Sequence, residues 1–140
     1  MDQQHIKVGA GCVIIQNGKT LLAKRKGSFA AGHWGSLGGH VEFGETPIDA
    51  VKREGMEELG VELGNFQFAA CADIQKFGKQ YIDISFTAEI ISGEPRICEI
   101  DKIEEIGWFD LNNLPEPLFD PVRTVLDAMA AGQRYFEIKE

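Results

Sequence analysis

The sequence predicts an α/β domain in which a mixed β-sheet packs between helices. Three observations predict it. Short apolar, β-branched runs alternate with helix-like segments, as in layered α/β folds. One pair of runs is joined by Asn17-Gly18, a hairpin signal. The 140 residues carry 44% hydrophobic and 26% charged side chains, enough for one domain over residues 1–140 with a sizeable core.

The elements follow in order. "VGAGCVIIQ" at 8–16 and "TLLAKR" at 20–25 read as the two strands of the hairpin. "KGSFAAGHWGSLGGH" reads as a Gly-rich loop with one large aromatic, Trp34. Residues 66–75 and 80–91 are further strands. In the second, Tyr81, Asp83, Ser85, Thr87 and Glu89 alternate with Ile82, Ile84, Phe86, Ala88 and Ile90. "IGWFDL" at 106–111 is a short strand. "FDPVRTVLDAMAAG" closes as a helix, with Asp120 expected at the N-cap, Pro121 at the first helical position and Gly132 past the end.

Charge and cysteine usage bound the function. A formal net charge of −8 disfavours polymeric nucleic acid as a partner. It leaves room for small anionic substrates, because a metal ion inverts the local field. Cys12, Cys71 and Cys98 match neither a zinc spacing nor a disulfide framework, which suits a reducing compartment. With no apolar leader or membrane-length run, the expectation is a cytoplasmic protein without membrane contact.

The most informative stretch is "LGGHVEFGETPIDAVKREGMEELGV", Leu37 to Val61. Thr46 can cap a helix, Pro47 suits its first position, Asp49 sits at the capping-box position, and Gly60 supplies the stop. The helix is expected from Pro47 to Leu59. Val51, Gly55 and Leu59 then form its buried stripe, and Glu54, Glu57 and Glu58 share a neighbouring face. Such a face is ordinarily just solvated surface. Here like charges repel at i, i+4, and acids in the last turn oppose the helix dipole. A Gly-Gly loop just before the helix can bring a backbone carbonyl to the same acids. Clustered hard oxygens of this kind are what Mg²⁺ or Mn²⁺ takes.

These residues resemble the Nudix hydrolase family, whose motif is G-x5-E-x7-R-E-U-x-E-E-x-G-U, with U bulky and apolar. Gly39, Glu45, Arg53, Glu54, Glu57, Glu58, Gly60 and Val61 match it, and Gly55 at the first apolar position departs from it. "LLAKRKGS", "GGHVEFGE" and "IGWFDLNNLPEPLFDPV" extend the resemblance to the MutT-like nucleoside triphosphate diphosphatases, over roughly residues 8–130. The resemblance implies the Nudix α/β/α sandwich, a divalent metal and hydrolysis of a nucleoside diphosphate linked to another moiety.

It also implies site residues. Glu54, Glu57 and Glu58, with the Gly38 carbonyl, are the expected metal ligands. Arg53 orients them, and Glu45 supports the arrangement. Arg25 is expected at substrate phosphate, with Gly39 and His40 beside the substrate. Glu104, or failing it Glu99, is the candidate later-loop acid. Trp34 is either a pocket wall or core. Asp120 is either an N-cap or a hydrogen-bonder to a purine edge; relatives carry Trp there, so their base preference does not transfer directly.

The expected activity is hydrolysis of nucleoside triphosphates, modified ones included, to monophosphate and pyrophosphate. Alternatives are a nucleotide-sugar or dinucleotide pyrophosphohydrolase of the ADP-ribose type, an RNA 5′-end pyrophosphohydrolase served by Lys24, Arg25 and Lys26, and a silent nucleotide-binding module. Relatives imply a homodimer.

Overall fold

The computed structural model describes residues 4–27, 30–76 and 78–139. The elements run β1 (Ile6–Gln16), β2 (Lys19–Arg25), β3 (Trp34–Gly35), β4 (Leu37–His40), α1 (Pro47–Leu59), β5 (Glu62–Lys76), β6 (Lys79–Ser92), β7 (Ile103–Asp110), α2 (Asp120–Ala131) and β8 (Tyr135–Lys139). They build one mixed sheet in the order β3-β2-β1-β6-β5-β8, with β4 also on β1 and β7 on β2. Helices cover both faces, as the sequence predicts.

The hairpin forms as expected. Asn17 (φ 53°) and Gly18 (φ 75°) both take the left-handed conformation that a tight two-residue turn demands. Strand β1 is the centre of the sheet. It pairs antiparallel with β2 and β4 on one side and parallel with β6 on the other. Its side chains therefore feed both layers. Ala10, Cys12 and Ile14 join the core under α1, while Val13 packs with Val125 of α2. A strand buried on both faces reads as a continuous apolar run, as "CVII" does.

Two strands lie inside the stretch expected to be loop. Strands β3 and β4 are short and glycine-rich, so they carry no alternation to read. What holds β4 is close backbone approach: a Cβ on Gly11 of β1 would lie 2.7 Å from the Leu37 carbonyl oxygen. Ser28 and Phe29, within that predicted loop, lie outside the described residues. Edge strand β8, which pairs with β5 over Cys71–Gln75, is a further strand beyond those the sequence predicts.

The expected N-cap at Asp120 is corrected by one residue. Phe119 is the cap, with no side-chain cap bond, and Asp120 is already helical. The Phe119 N–H donates to the Trp34 carbonyl (2.8 Å), and its own carbonyl accepts from Val122 (3.1 Å). Anchoring on β3 thus starts the helix early.

Helix α1 matches its expected bounds. Thr46 and Asp49 form the reciprocal capping box at 3.0 and 3.1 Å, and Gly60 (φ 68°) ends the helix. The buried face is Ala50, Val51, Gly55 and Leu59. A Cβ on Gly55 would lie 2.8 Å from Leu63 Cδ1 and 3.2 Å from its Cγ. Leu63 is fully buried. The glycine lets α1 sit close on β5.

Gly55→Ala sets about 1 kcal/mol of helix propensity against an overpacking cost of about 1–3 kcal/mol. Because Leu63 is enclosed, overpacking wins. The expected outcome is net destabilisation, read as a lower urea midpoint at unchanged slope; a higher midpoint would mean that Leu63 simply moves aside.

Candidate active site

Arg53 organises the start of the site. Its Nε and Nη2 donate to the two Glu45 carboxylate oxygens at 2.8 and 3.0 Å, a two-pronged pair. Nη1 donates to Glu54 Oε1 at 2.9 Å and lies 3.5 Å from Glu57. Nη2 also donates to the His40 carbonyl at 3.0 Å. One side chain thus ties the end of β4, the connecting loop and α1 together. The Arg53 hydrogen bond, helped by the Glu42 N–H, holds the Glu45 carboxyl below its usual range. Arg53 in turn is held more firmly protonated, chiefly by Glu45.

One turn beyond Glu54, Glu58 lacks such relief. Burial pushes the Glu58 carboxyl up to about 8, and the charges of Glu54 and Glu99 add to the effect, while Lys102 and Arg25 oppose it. Burial also raises Glu54, against the pull of Arg53. Glu58 Oε2 is buried with no hydrogen-bond partner. Glu58 is held in place from outside the helix: its backbone carbonyl accepts from Cys98 at 3.0 Å, and that of Leu59 accepts from Arg96 at 3.0 Å.

Glu54 and Glu58 open onto a cavity of about 470 Å³, which Arg25, Gly38, Gly39 and Lys102 also line. The motif glycine has a direct physical reason. A Cβ on Gly39 would lie within 2.3 Å of Glu54 Oε1, so any side chain there would evict the carboxylate. Cys12 lies beside this cluster. Burial and the Glu58 charge push its thiol up to about 12, which makes it inert packing.

The residues fit a hard divalent cation. The donors are oxygens, one buried carboxylate oxygen is orphaned, and burial raises two neighbouring carboxyls, Glu54 and Glu58. Among the described residues no three His, Cys, Asp or Glu side chains already converge on one point. Arg53 draws Glu54 and the half-exposed Glu57 toward itself instead.

The other expected site residues divide between locations. Arg25 lines the carboxylate cavity, and its guanidinium sits 4.7 Å from the Phe119 ring centroid. The His40 side chain is exposed and stacks on Tyr81 at 5.8 Å, away from the acids. Trp34 is core, packed edge-on against Phe109 at 4.8 Å, and does not line the carboxylate cavity. Glu104 is exposed on β7. Glu99, paired with Lys102 at 3.6 Å, is the later acid that acts on Glu58.

A second cavity of about 470 Å³ lies between β5, β6 and the start of α2. Asp120 lines it, as do Tyr81, Asp83 and Phe119. Phe119 lines it too, and also lies beside Gly35 and under Arg25, two residues that line the first cavity. The sequence held a signal for this cavity: the polar positions of β6 fall on the face toward α2. No helix among the described residues is long and apolar enough to cross a membrane.

Two outcomes are expected. Because folding raises the Glu58 pKa, its contribution to stability is full below about 4.5 and is lost as pH rises to about 8. The melting temperature of metal-free protein should fall more steeply across that window than that of Glu58→Gln, and Mg²⁺ should stabilise most at its upper end. Equal slopes would remove Glu58 as the source. Separately, Arg53→Ala should lower kcat by roughly 10- to 100-fold, as loss of an orienting partner does. Arg53→Lys should recover only part, lacking the fork.

Comparison with known proteins shows the family and the fold. The NUDIX domain profile matches residues 5–129. The chain is 34% identical over 127 residues to an ADP-ribose pyrophosphatase of Methanocaldococcus jannaschii, covering 89% of this chain and 74% of that protein. It is 33% identical over 110 residues to an oxidized purine nucleoside triphosphate hydrolase of Danio rerio, covering 74% of this chain and 65% of that one. It is 36% identical over 108 residues to the NAD-capped RNA hydrolase NudC of Chromobacterium violaceum, with 74% of this chain covered but only 38% of that protein. The chain thus spans well under half the length of the NudC relative. A solved MutT NUDIX hydrolase from Burkholderia pseudomallei superposes with a TM-score of 0.83 at 38% identity, covering 89% of this chain and 98% of that one. With the motif, the fold and the profile match in agreement, the chain belongs to the Nudix family.

Proposed function

We propose that this protein hydrolyses nucleoside triphosphates, modified ones included, to the monophosphate and pyrophosphate. The observation that carries the reading is the presence of two cavities with Phe119 between them: it lines one and lies against Arg25 and Gly35, which line the other. One is lined by carboxylates and Arg25, suited to phosphates. The other, of about 470 Å³ and mostly apolar walls, suits one nucleoside.

In this reading Arg25 and Lys102 bind the phosphate chain, and Phe119 keeps the Arg25 guanidinium in place. Glu54 and Glu58, with Glu57 and the Gly38 carbonyl, would hold Mg²⁺ or Mn²⁺. Such a cation, when bound, neutralises phosphate charge and acidifies water. Arg53 and Glu45 keep Glu54 oriented. A water oxygen attacks phosphorus, the phosphoanhydride bond breaks, pyrophosphate leaves, and a glutamate of the set accepts the water proton. Resemblance to MutT-like enzymes supports a homodimeric assembly.

A second reading has one observation in its favour. Lys7, Lys76, Lys79 and Lys139 line a broad groove beside the nucleoside cavity, and Lys76 and Lys79 line both. A cationic tract there suits a substrate continuing beyond one nucleotide, such as an RNA 5′ end or a dinucleotide.

Both readings meet the same experiment. Turnover with Mg²⁺ or Mn²⁺ is compared for dGTP, 8-oxo-dGTP, CTP, ADP-ribose, dinucleoside polyphosphates and a 5′-triphosphate RNA. Triphosphates should lead, and Glu57→Gln and Glu58→Gln should each lose about 10²- to 10⁴-fold. Wild-type-like turnover in both variants would sink the scheme, and a preference for the RNA or the dinucleotides would favour the second reading.

A further inference from the structure

We propose that Asp83 is a specificity-determining residue that reads the paired hydrogen-bond donors of a guanine-type base in the cavity between β5, β6 and α2. The inference rests on the triphosphate reading above.

Asp83 is out of place for a residue that serves folding alone. It lies in the middle of β6, where a β-branched or aromatic side chain would pack better. Its neighbours across the sheet are Gly9 on β1 and Ala72 on β5. Neither has the bulk to cover it. The carboxylate lies across Gly9 so closely that a Cβ there would be 2.8 Å from Asp83 Oδ1. Around it the cavity is walled by Ala70, Ile74, Phe119, Pro121 and Ile138. A carboxylate has therefore been set on the floor of an otherwise mostly apolar chamber.

Its own bonding is incomplete. Ser85, two residues along on the same face, hydrogen-bonds to it. A carboxylate has about four acceptor positions, so most of them stay open. The ion pairs among the described residues use Arg53 and Lys102, and none reaches Asp83. Burial pushes the Asp83 carboxyl up, and the Ser85 bond only partly opposes this. Lys76 and Lys79 line the cavity, as does Asp120, which is exposed where α2 begins. A desolvated carboxylate is costly until donors reach it.

The chemistry of the bases then discriminates. Ionised Asp83 only accepts. Guanine offers N1–H and an exocyclic amino group side by side, two donors that match one carboxylate. Adenine and cytosine put an acceptor beside their amino donor, which would face the carboxylate with like charge. Uracil and thymine offer one N–H between two carbonyls. Oxidation of guanine at C8 leaves its donor edge unchanged, so dGTP and 8-oxo-dGTP are read alike at this position. Sites built around buried polar groups reject analogues that leave those groups unpaired.

The test compares kcat/KM for dGTP, dITP, dATP and dCTP in the wild type, Asp83→Asn and Gly9→Ala. Inosine lacks the exocyclic amino group, so wild type should favour dGTP over dITP by about tenfold and over dATP by more. Asp83→Asn should shrink the dGTP-to-dATP ratio by about 10- to 100-fold, mainly through KM for dGTP. Gly9→Ala keeps the charge but pushes the carboxylate from its seat, and should shrink the same ratio. Calorimetric binding of GMP and AMP to wild type and Asp83→Asn gives a readout independent of turnover, and a thermal melt checks folding. A wild type indifferent to the base, or an Asp83→Asn variant that keeps the guanine preference, overturns the proposal and leaves the triphosphate reading standing. If no triphosphate is hydrolysed, that reading falls. Asp83 is then decided by whether GMP binds more tightly than AMP, and whether the variant loses the difference.

Discussion

The guanidinium of Arg53 is the interaction on which the site depends. It lies between the end of β4, the connecting loop and α1. By pairing with Glu45 through both arms of its fork it fixes the loop, and by donating to His40 it fixes the end of β4. By holding Glu54 it sets the first of the acids that face the cavity. The ring of contacts closes only because Gly39 has no side chain to displace Glu54. Three of the motif's acids, Glu45, Glu54 and Glu57, are in space gathered around one charge.

Beyond Arg53 the compensation stops. Glu45 is satisfied, while Glu58, deeper in the cavity, is left with an orphaned oxygen and a raised carboxyl. The contrast between the loop acid and the helix acid separates a carboxylate that holds the scaffold from one kept short of partners. A protein seeking only stability would reverse the arrangement, because burying an unpaired carboxylate costs free energy. The capping box and the close Gly55 contact fix the helix firmly enough to bear that cost.

Much of this was legible in the sequence, and the failures have physical causes. Helix α1 was readable to the residue because caps, stop and buried stripe all point the same way. Strands with apolar periodicity, β1, β2 and β6, were readable too. Strands β3 and β4 were not, because they are short and glycine gives no periodic signal; β3 is fixed by pairing with β2, and β4 by close backbone approach to β1. Asp120 misled because Asp-Pro is a good helix start locally, whereas the true start is set by Phe119 bonding to Trp34 across the fold. Trp34 could be wall or core on sequence alone, and only packing on Phe109 decides it. Glu99 and Glu104 differ in proximity to Glu58, which spacing does not encode. Asp83 was seen as one polar position of an alternating strand, yet the face it shares is roofed by α2 rather than open to water.

The parallel pairing of β1 with β6 has a kinetic meaning. It joins Ile6 to Gln80 and Ile14 to Ala88, partners on opposite sides of α1 and β5 in the chain. Strand β4, which carries Gly38 and Gly39, docks on the other side of β1. Contacts of such high sequence separation close late, because loop entropy must be overcome before they return any energy. The glycines and the glutamates are close in sequence, but the sheet that presents them to one another is not local. The carboxylate cavity likewise brings Lys102 and Ile103 onto Arg25 of β2, so it is complete only when distant parts of the chain have met, and not when the helix that bears its acids has formed.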